Sequence, residues 1–157
     1  MLTLKKIQYL AGMSQETHCY SADLYLDGKR VGQVGNAGHG GCDEEHFINE
    51  QAEKAVRAYI DTLPEVDSQF GGTLKMDLEW ICSDLVNDYL AKKELKKLLS
   101  KRVIWILDGK LWQTNTAGNA AQRDKWVQEI ERTRKEGQVI LNSMPFNDAL
   151  KLFNEVA

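Results

Sequence analysis

No apolar run in this chain of 157 residues approaches the roughly 20 residues that a membrane-spanning helix needs. Cysteine is scarce, with an odd count of three. Residues 1–10 carry Lys5 and Lys6 inside an alternating pattern, and they lack the continuous apolar core of a signal peptide. We therefore expect a cytoplasmic protein with reduced thiols and no membrane contact.

An excess of charge of one sign is also lacking. The 23 acidic residues nearly balance the 20 basic ones, and the formal net charge is −3. This balance argues against a dedicated nucleic-acid binder, so nucleic acid is not an expected partner. The 43% of hydrophobic and 27% of charged residues are typical of a globular domain. The length predicts one domain over residues 1–157.

Sequence motifs of the common enzymes are missing as well. The chain has no Walker A motif, no GxGxxG in a βαβ unit, no Gly-x-Ser-x-Gly elbow and no HExxH. The paired spacings CxxC and HxxxH, which zinc sites often use, are absent too. No catalytic residue is predicted, and a binding protein is favoured over an enzyme.

Two Asp-Gly pairs mark β-hairpins, because this pair suits a two-residue type I′ turn. They are Asp27-Gly28 and Asp108-Gly109, and alternating apolar residues flank both. The predicted strands are Leu2–Leu10, Tyr20–Leu26, Lys29–Val34, Val103–Leu107, Leu111–Thr114 and Gln138–Asn142.

Apolar residues at helical spacing predict four helices between and after these strands. The helices are expected over about Asp43–Asp61, Asp77–Leu99, Asn119–Glu136 and Pro145–Val156, the third stopped by Gly137. The fold class is α+β. We expect a mixed or antiparallel sheet built from two hairpins plus single strands, with helices largely on one face.

The segment Gly35–Cys42 holds four glycines in seven residues and is the first candidate site. Successive backbone N–H groups before a helix would suit a small anionic ligand. Strict pairing across Asp27-Gly28 places His18 opposite Ala37 and brings it beside this loop, with His46 on the following helix. The candidate ligand-binding residues here are His18, Arg30, Asn36, Gly38, His39, Gly40, Gly41 and His46.

The same neighbourhood offers an alternative chemistry. Imidazole and thiolate groups are ligands that zinc uses. The candidate zinc ligands are His18, His39, Cys42 and His46. The plainer alternatives also remain open, namely exposed histidines, a packing cysteine and a glycine-rich turn that only reverses the chain. Zinc is therefore an alternative, and no cofactor is the main expectation.

Two tryptophans form the second candidate site. Pairing across Asp108-Gly109 places Trp105 opposite Trp112 on one face of the hairpin, while Ile104, Ile106 and Leu111 cover the other. One of these faces belongs to the core. The other is either covered by a helix or a partner, or it is an aromatic platform for a planar ligand. So much apolar surface predicts a homo-oligomer, with a homodimer the simplest case.

Residues 21–41 read SADLYLDGKRVGQVGNAGHGG. This segment, about a seventh of the chain, resembles small uncharacterised accessory proteins of bacteria, phages and mobile elements. The resemblance implies a setting without a mechanism. In that setting, counter-defence proteins that sequester a signalling nucleotide or block a host enzyme are plausible classes.

The function expected from the sequence is therefore a small binding protein. Its ligand is a small anionic, nucleotide-like molecule or a host protein, held around the glycine loop. One alternative is a metal-dependent hydrolase with a His/Cys site at this loop. Another is a protein–protein inhibitor that uses an exposed tryptophan face.

Overall fold

Antiparallel hairpins and four helices build an α+β fold in the part of the chain that the computed structural model describes, residues 1–68 and 71–156. The chain divides into two units, Met1–Asn87 and Asp88–Ala157. The expected fold class, with hairpins and single strands, is confirmed. The strands are distributed over a four-stranded, a three-stranded and a two-stranded sheet instead of a single one.

The first unit is built on a four-stranded antiparallel meander. Its strands are β1 (Leu2–Tyr9), β2 (Cys19–Leu26), β3 (Lys29–Ala37) and β4 (Glu44–Phe47), adjacent in chain order. Helix α1 (Glu50–Asp61) follows, then the short pair β5 (Val66–Asp67) and β6 (Thr73–Leu74), and the start of α2 (Leu78–Leu99).

One face of this meander is the core of the first unit. Alternate side chains of β2 and β3 are buried there, and helix α1 packs against β3 and β4. The arrangement follows from the period of two in the strands and of 3.6 in the helices. The buried apolar residues of this layer include Tyr20, Ala22, Leu24, Val34, Ala52, Val56, Leu78, Cys82 and Val86.

The prediction that a helix begins near Asp43 is wrong. Residues Glu44–Phe47 form strand β4, which pairs with β3 in the register Gly32↔Phe47 to Gly35↔Glu44. Helix α1 begins only after Asn49, whose side chain accepts a hydrogen bond from the Ala52 N–H at 2.8 Å. This is an ordinary asparagine cap, and it satisfies an N–H that the first turn would otherwise leave free.

The first hairpin contains an irregularity that strict pairing misses. Leu26 pairs with Lys29 as predicted, but the register shifts between Tyr25 and Leu24. Beyond that bulge Cys19 lies opposite Ala37 and Tyr20 opposite Asn36. The predicted partners, His18 for Ala37 and Cys19 for Asn36, are therefore wrong by one residue.

The second unit contains the sheet of the second hairpin. Its strands are β7 (Ile104–Leu107), β8 (Lys110–Gln113) and β9 (Val139–Ile140), with β7 in the middle. Its helices are the end of α2, then α3 (Ala120–Arg132) and α4 (Phe146–Val156). The core of this unit contains Leu95, Ile104, Leu141, Ala149, Leu150 and Phe153.

Two boundaries in the second unit differ from prediction. Helix α3 ends at Arg132, well before Gly137, because the backbone of Thr133 already closes its last turn. The strand expected over Gln138–Asn142 shrinks to β9, since residues Leu141–Ser143 turn into a 3₁₀ helix. Within residues 1–68 and 71–156, no helix combines the length and apolar character needed to cross a membrane.

Candidate functional site

The glycine loop between β3 and β4 is closed by one side chain, Asn36, which is 8% exposed. Its Nδ2 donates to the Gly41 carbonyl at 2.8 Å and to Asp43 Oδ1 at 3.0 Å. Its Oδ1 accepts from the Gly38 N–H at 2.8 Å and from Thr17 Oγ1 at 2.7 Å. Both the oxygen and the nitrogen of the amide therefore stabilise the folded conformation of the loop.

Two glycine N–H groups of this loop already have partners within the protein. The Gly38 N–H is held by Asn36, and the Gly40 N–H donates to Thr17 Oγ1 at 3.3 Å. The Gly38 carbonyl accepts from the Gln15 N–H at 2.9 Å. Because β4 follows the loop, no helix N-terminus adds its partial positive charge here. The loop geometry therefore favours a structural role.

Two of the predicted histidines lie on the segments around this loop, each with its own partner. His18 Nε2 is 2.7 Å from Asn87 Oδ1, and its ring meets Tyr9 edge-on at a centroid distance of 5.5 Å. His39 Nδ1 is 3.3 Å from Gln15 Oε1. These two imidazoles are thus tied to different neighbours rather than to each other.

The prediction that His46 lies on a helix is wrong. It lies on β4 opposite Gln33, with Nε2 at 3.9 Å from a Glu44 carboxylate oxygen. In the strand, Glu44 and His46 share one face, and Glu45 and Phe47 the other, toward Arg57 of helix α1. His46 therefore belongs to the sheet face that α1 leaves open.

The candidate zinc ligands are not assembled by the fold. Across the described residues, no group of three or more His, Cys, Asp or Glu side chains is arranged to hold a metal ion. Cys42 is an exposed free thiol at the end of the loop. The four residues His18, His39, Cys42 and His46 consequently do not form a common cluster in this structure.

A buried polar contact lies beneath the loop. The Tyr20 hydroxyl donates to Asp43 Oδ2 and also contacts the Cys82 thiol. Burial, and then the hydrogen bond to Asp43, raise the pKa of Tyr20 far above its usual range. Burial likewise raises the pKa of Cys82 to about 12. Both groups therefore stay protonated and serve the packing of the sheet on α2 rather than nucleophilic chemistry.

The opposite face of the meander is polar and forms an open pocket with a volume of about 800 Å³. We call it the polar sheet face. Residues of all four strands line it, and three of them, Arg30, Asn36 and His46, were among the predicted ligand-binding residues. The polar side chains that line it are Lys6, Gln8, Ser21, Asp23, Arg30, Gln33, Glu44 and His46.

Asp23 is the centre of this face, with a side chain only 7% exposed. Lys6 Nζ lies 3.1 Å from its Oδ2, and Arg30 Nη2 lies 3.0 Å from its Oδ1. Arg30 Nε and Gln33 Nε2 donate to the same Oδ1 at 3.1 and 3.2 Å. The hydrogen bonds from Lys6 and Gln33, followed by the contacts with Arg30, hold the pKa of Asp23 below its usual range. The carboxylate is therefore ionised and orients two cations.

Two bulges bring those cations to Asp23. In β1 the register shifts between Lys5 and Gln8, and Lys6 takes a left-handed φ of +53°. In β3 the extra residue Val31 lets Arg30 and Gln33 reach the same carboxylate. A non-glycine residue in the left-handed region costs on the order of 1 kcal/mol. Bulges of this kind re-aim side chains and are frequent beside functional sites.

Sequence reasoning missed Lys6, Asp23 and Gln33 as members of a site. One signal was available, because Ser21 and Asp23 alternate with the apolar residues of β2 and so share a face. Strict pairing, however, puts Gly32 instead of Gln33 opposite Asp23. The bulge in β1 leaves no comparable trace in the local pattern.

The tryptophan pair of the second unit is formed as predicted, with Trp105 opposite Trp112. Trp105 is half-buried, whereas Trp112 is 48% exposed. On the other face of the hairpin, Ile104 belongs to the core, and Ile106 and Leu111 pack against it. The face that bears Trp112 is thus the one with apolar surface in contact with solvent.

Comparison of the chain with protein-family models, with curated proteins and with solved structures finds no match.

Proposed function

We propose that the polar sheet face binds a small anionic ligand, and that the protein acts by binding rather than by catalysis. The observation that carries this proposal is the convergence of Lys6 and Arg30 on the buried carboxylate of Asp23. The ligand class is the one expected from the sequence. The site moves from the glycine loop to the open face of the sheet.

The two cations keep donors for a ligand. Arg30 uses Nε and Nη2 on Asp23, and in the described part of the chain Nη1 has no hydrogen-bond partner. Lys6 uses one contact, and its side chain is 79% exposed. A guanidinium beside an ammonium suits a phosphate or carboxylate, because charge-assisted hydrogen bonds are the stronger kind.

Asp23 supports binding by fixing these groups before the ligand arrives. A long cationic side chain loses rotamer freedom when it is immobilised, at a cost of about 0.5–1.5 kcal/mol. The ion pairs with Asp23 already immobilise both side chains in the folded protein, so less rotamer freedom is lost when the ligand binds. Lys6, Arg30 and Asp23 together carry one net positive charge, and the carboxylate of Glu44 lies on the same face.

The sequence resemblance supplies the biological setting of the proposal. A cytoplasmic accessory protein that sequesters a nucleotide-like anion would need a ready-made cationic surface and no catalytic group. The exposed Trp112 favours a second role for the other unit, contact with a protein partner or with a second copy of this chain.

A binding measurement on matched variants tests the proposal. Inorganic phosphate, inorganic pyrophosphate and adenosine monophosphate are titrated by calorimetry at low salt, where charge pairing is strongest. The test variant is Lys6→Gln with Arg30→Gln. The control is Lys54→Gln with Arg132→Gln, which removes the same charges from ion pairs with Glu50 and Glu129.

We expect at least one of these anions to bind the natural protein and the control alike. Affinity in the test variant should fall by about tenfold or more, as the loss of a charge-assisted hydrogen bond implies. Circular dichroism checks that both variants remain folded. The proposal is wrong if none of the three anions binds, or if the control loses as much affinity as the test variant.

A further inference from the structure

The polar sheet face has two rows of side chains with different chemistry. The first row runs across the strands from Lys6 through Asp23 and Gln33 to His46, with Arg30 beside it. Its two cations, Lys6 and Arg30, flank the carboxylate of Asp23, and the Gln33 amide and the His46 imidazole lie in the same row. An anionic group of a ligand belongs on this row.

The second row lies two residues further along the strands. Gln8 pairs with Ser21, Ser21 with Gly35, and Gly35 with Glu44. This row contains no cation. It offers a hydroxyl, an amide and a carboxylate, a set that both accepts and donates hydrogen bonds.

Gly35 leaves a gap in the middle of the second row. Without a side chain there, the floor between Ser21 and Glu44 is bare backbone. A Cβ at this position would stand 2.7 Å from the Tyr20 carbonyl oxygen, so the sheet itself requires glycine. The result is a trough, one residue wide, with polar groups on both sides.

We infer that the ligand of this face is a phosphorylated sugar, with its phosphate on Lys6 and Arg30 and its ring hydroxyls over Gly35 between Ser21 and Glu44. The inference rests on the proposed function and specifies its ligand class. Hydroxyl groups donate to a carboxylate and exchange hydrogen bonds with serine and glutamine, as the second row requires. A carboxylate that accepts from sugar hydroxyls is a common device of nucleotide sites.

The spacing of the rows fits such a molecule. Two residues along a strand span about 7 Å. A pentose phosphate covers a comparable distance between its phosphorus and its ring hydroxyls. Glu44 is free to take part, because its side chain is 79% exposed and its contact with His46 is a loose 3.9 Å.

Calorimetry with ribose 5-phosphate, inorganic phosphate, free ribose and O-phosphoserine tests the ligand class. We expect ribose 5-phosphate to bind about tenfold more tightly than inorganic phosphate, and free ribose to bind far more weakly than either. Glu44→Gln should lower the affinity for ribose 5-phosphate. The same change should leave inorganic phosphate unchanged or better bound, since it removes a negative charge. The matched control, Glu50→Gln on α1, should change neither by more than about twofold.

The outcomes separate this inference from the proposal beneath it. Equal affinity for phosphate and ribose 5-phosphate, with no effect of Glu44→Gln, refutes the sugar and leaves the anion site standing. Tighter binding of O-phosphoserine than of ribose 5-phosphate means that the second row selects an ammonium group instead. If none of the phosphates binds, both the anion site and the sugar are wrong.

Discussion

Replacing Asn36 by alanine tests whether the glycine loop is a structural element. The substitution removes four hydrogen bonds, to Thr17, Gly38, Gly41 and Asp43. At a net value of about 1 kcal/mol each, they sum to about 4 kcal/mol. Water can reach some of the released partners at the loop surface, so we expect a loss of about 3 kcal/mol. That is a large share of the 5–15 kcal/mol by which domains are typically stable.

The assay is urea unfolding followed by circular dichroism, combined with hydrogen exchange of the loop. The matched control is Asn49→Ala, which removes one hydrogen bond at the start of α1 and should cost about 1 kcal/mol. Exchange should speed up at the Gly38 and Gly40 N–H groups in Asn36→Ala only. A loss no larger than that of the control would refute the reasoning, and the loop would then be held by other contacts.

A second variant at the same position adds a pH test. Asn36→Asp keeps the shape of the side chain, but it sets a carboxylate where an amide now donates to Asp43 Oδ1 at 3.0 Å. Two like charges at this distance repel, so the variant should be much less stable than the natural protein at pH 7. Acid should narrow the gap by protonating one carboxylate of the pair. A gap that does not change between pH 7 and pH 4 would contradict this account.

Gly35→Ala should lower the free energy of unfolding in urea by about 1–3 kcal/mol, because the new Cβ would meet the Tyr20 carbonyl oxygen. Gly41→Ala, whose Cβ would meet open space, should change it by no more than about 0.5 kcal/mol. Because the pKa of Asp23 is lowered in the folded protein, its ionised form stabilises the fold above about pH 4. The natural protein should therefore have a higher urea midpoint than Asp23→Asn near pH 7, and the difference should shrink as acid protonates Asp23. A difference that does not change with pH would contradict the ion pairs. If the exposed Trp112 lies in a homodimer contact, light scattering should report a dimer for the natural protein and a folded monomer for Trp112→Glu. A natural protein that is monomeric at high concentration would refute this prediction.

The candidate site was harder to predict than the fold because it depends on irregular pairing. Arg30 and His46 were named from the sequence, but for a place beside the glycine loop. Their common face emerges only when the bulge at Val31 and the strand β4 are known. The residue that organises the face, Asp23, looked like one more polar position in an alternating strand.

The sequence by itself determined the features that depend on neighbours in the chain. Asp27-Gly28 and Asp108-Gly109 take positive φ at both residues, so these pairs specified two tight hairpins and the Trp105–Trp112 pairing without help from the rest of the fold. The spacing of apolar residues likewise located α2 and α4 almost to the residue.

The tertiary structure decided what depends on partners far along the chain. Residues Glu44–Phe47 are a strand because β3 offers them a free edge, although the acidic start of the segment suits a helix equally well. Lys6 adopts its unfavourable φ because a carboxylate on another strand compensates for it. Local propensity cannot report such compensation, since the energy that stabilises the bulge lies in a contact 17 residues away along the sequence.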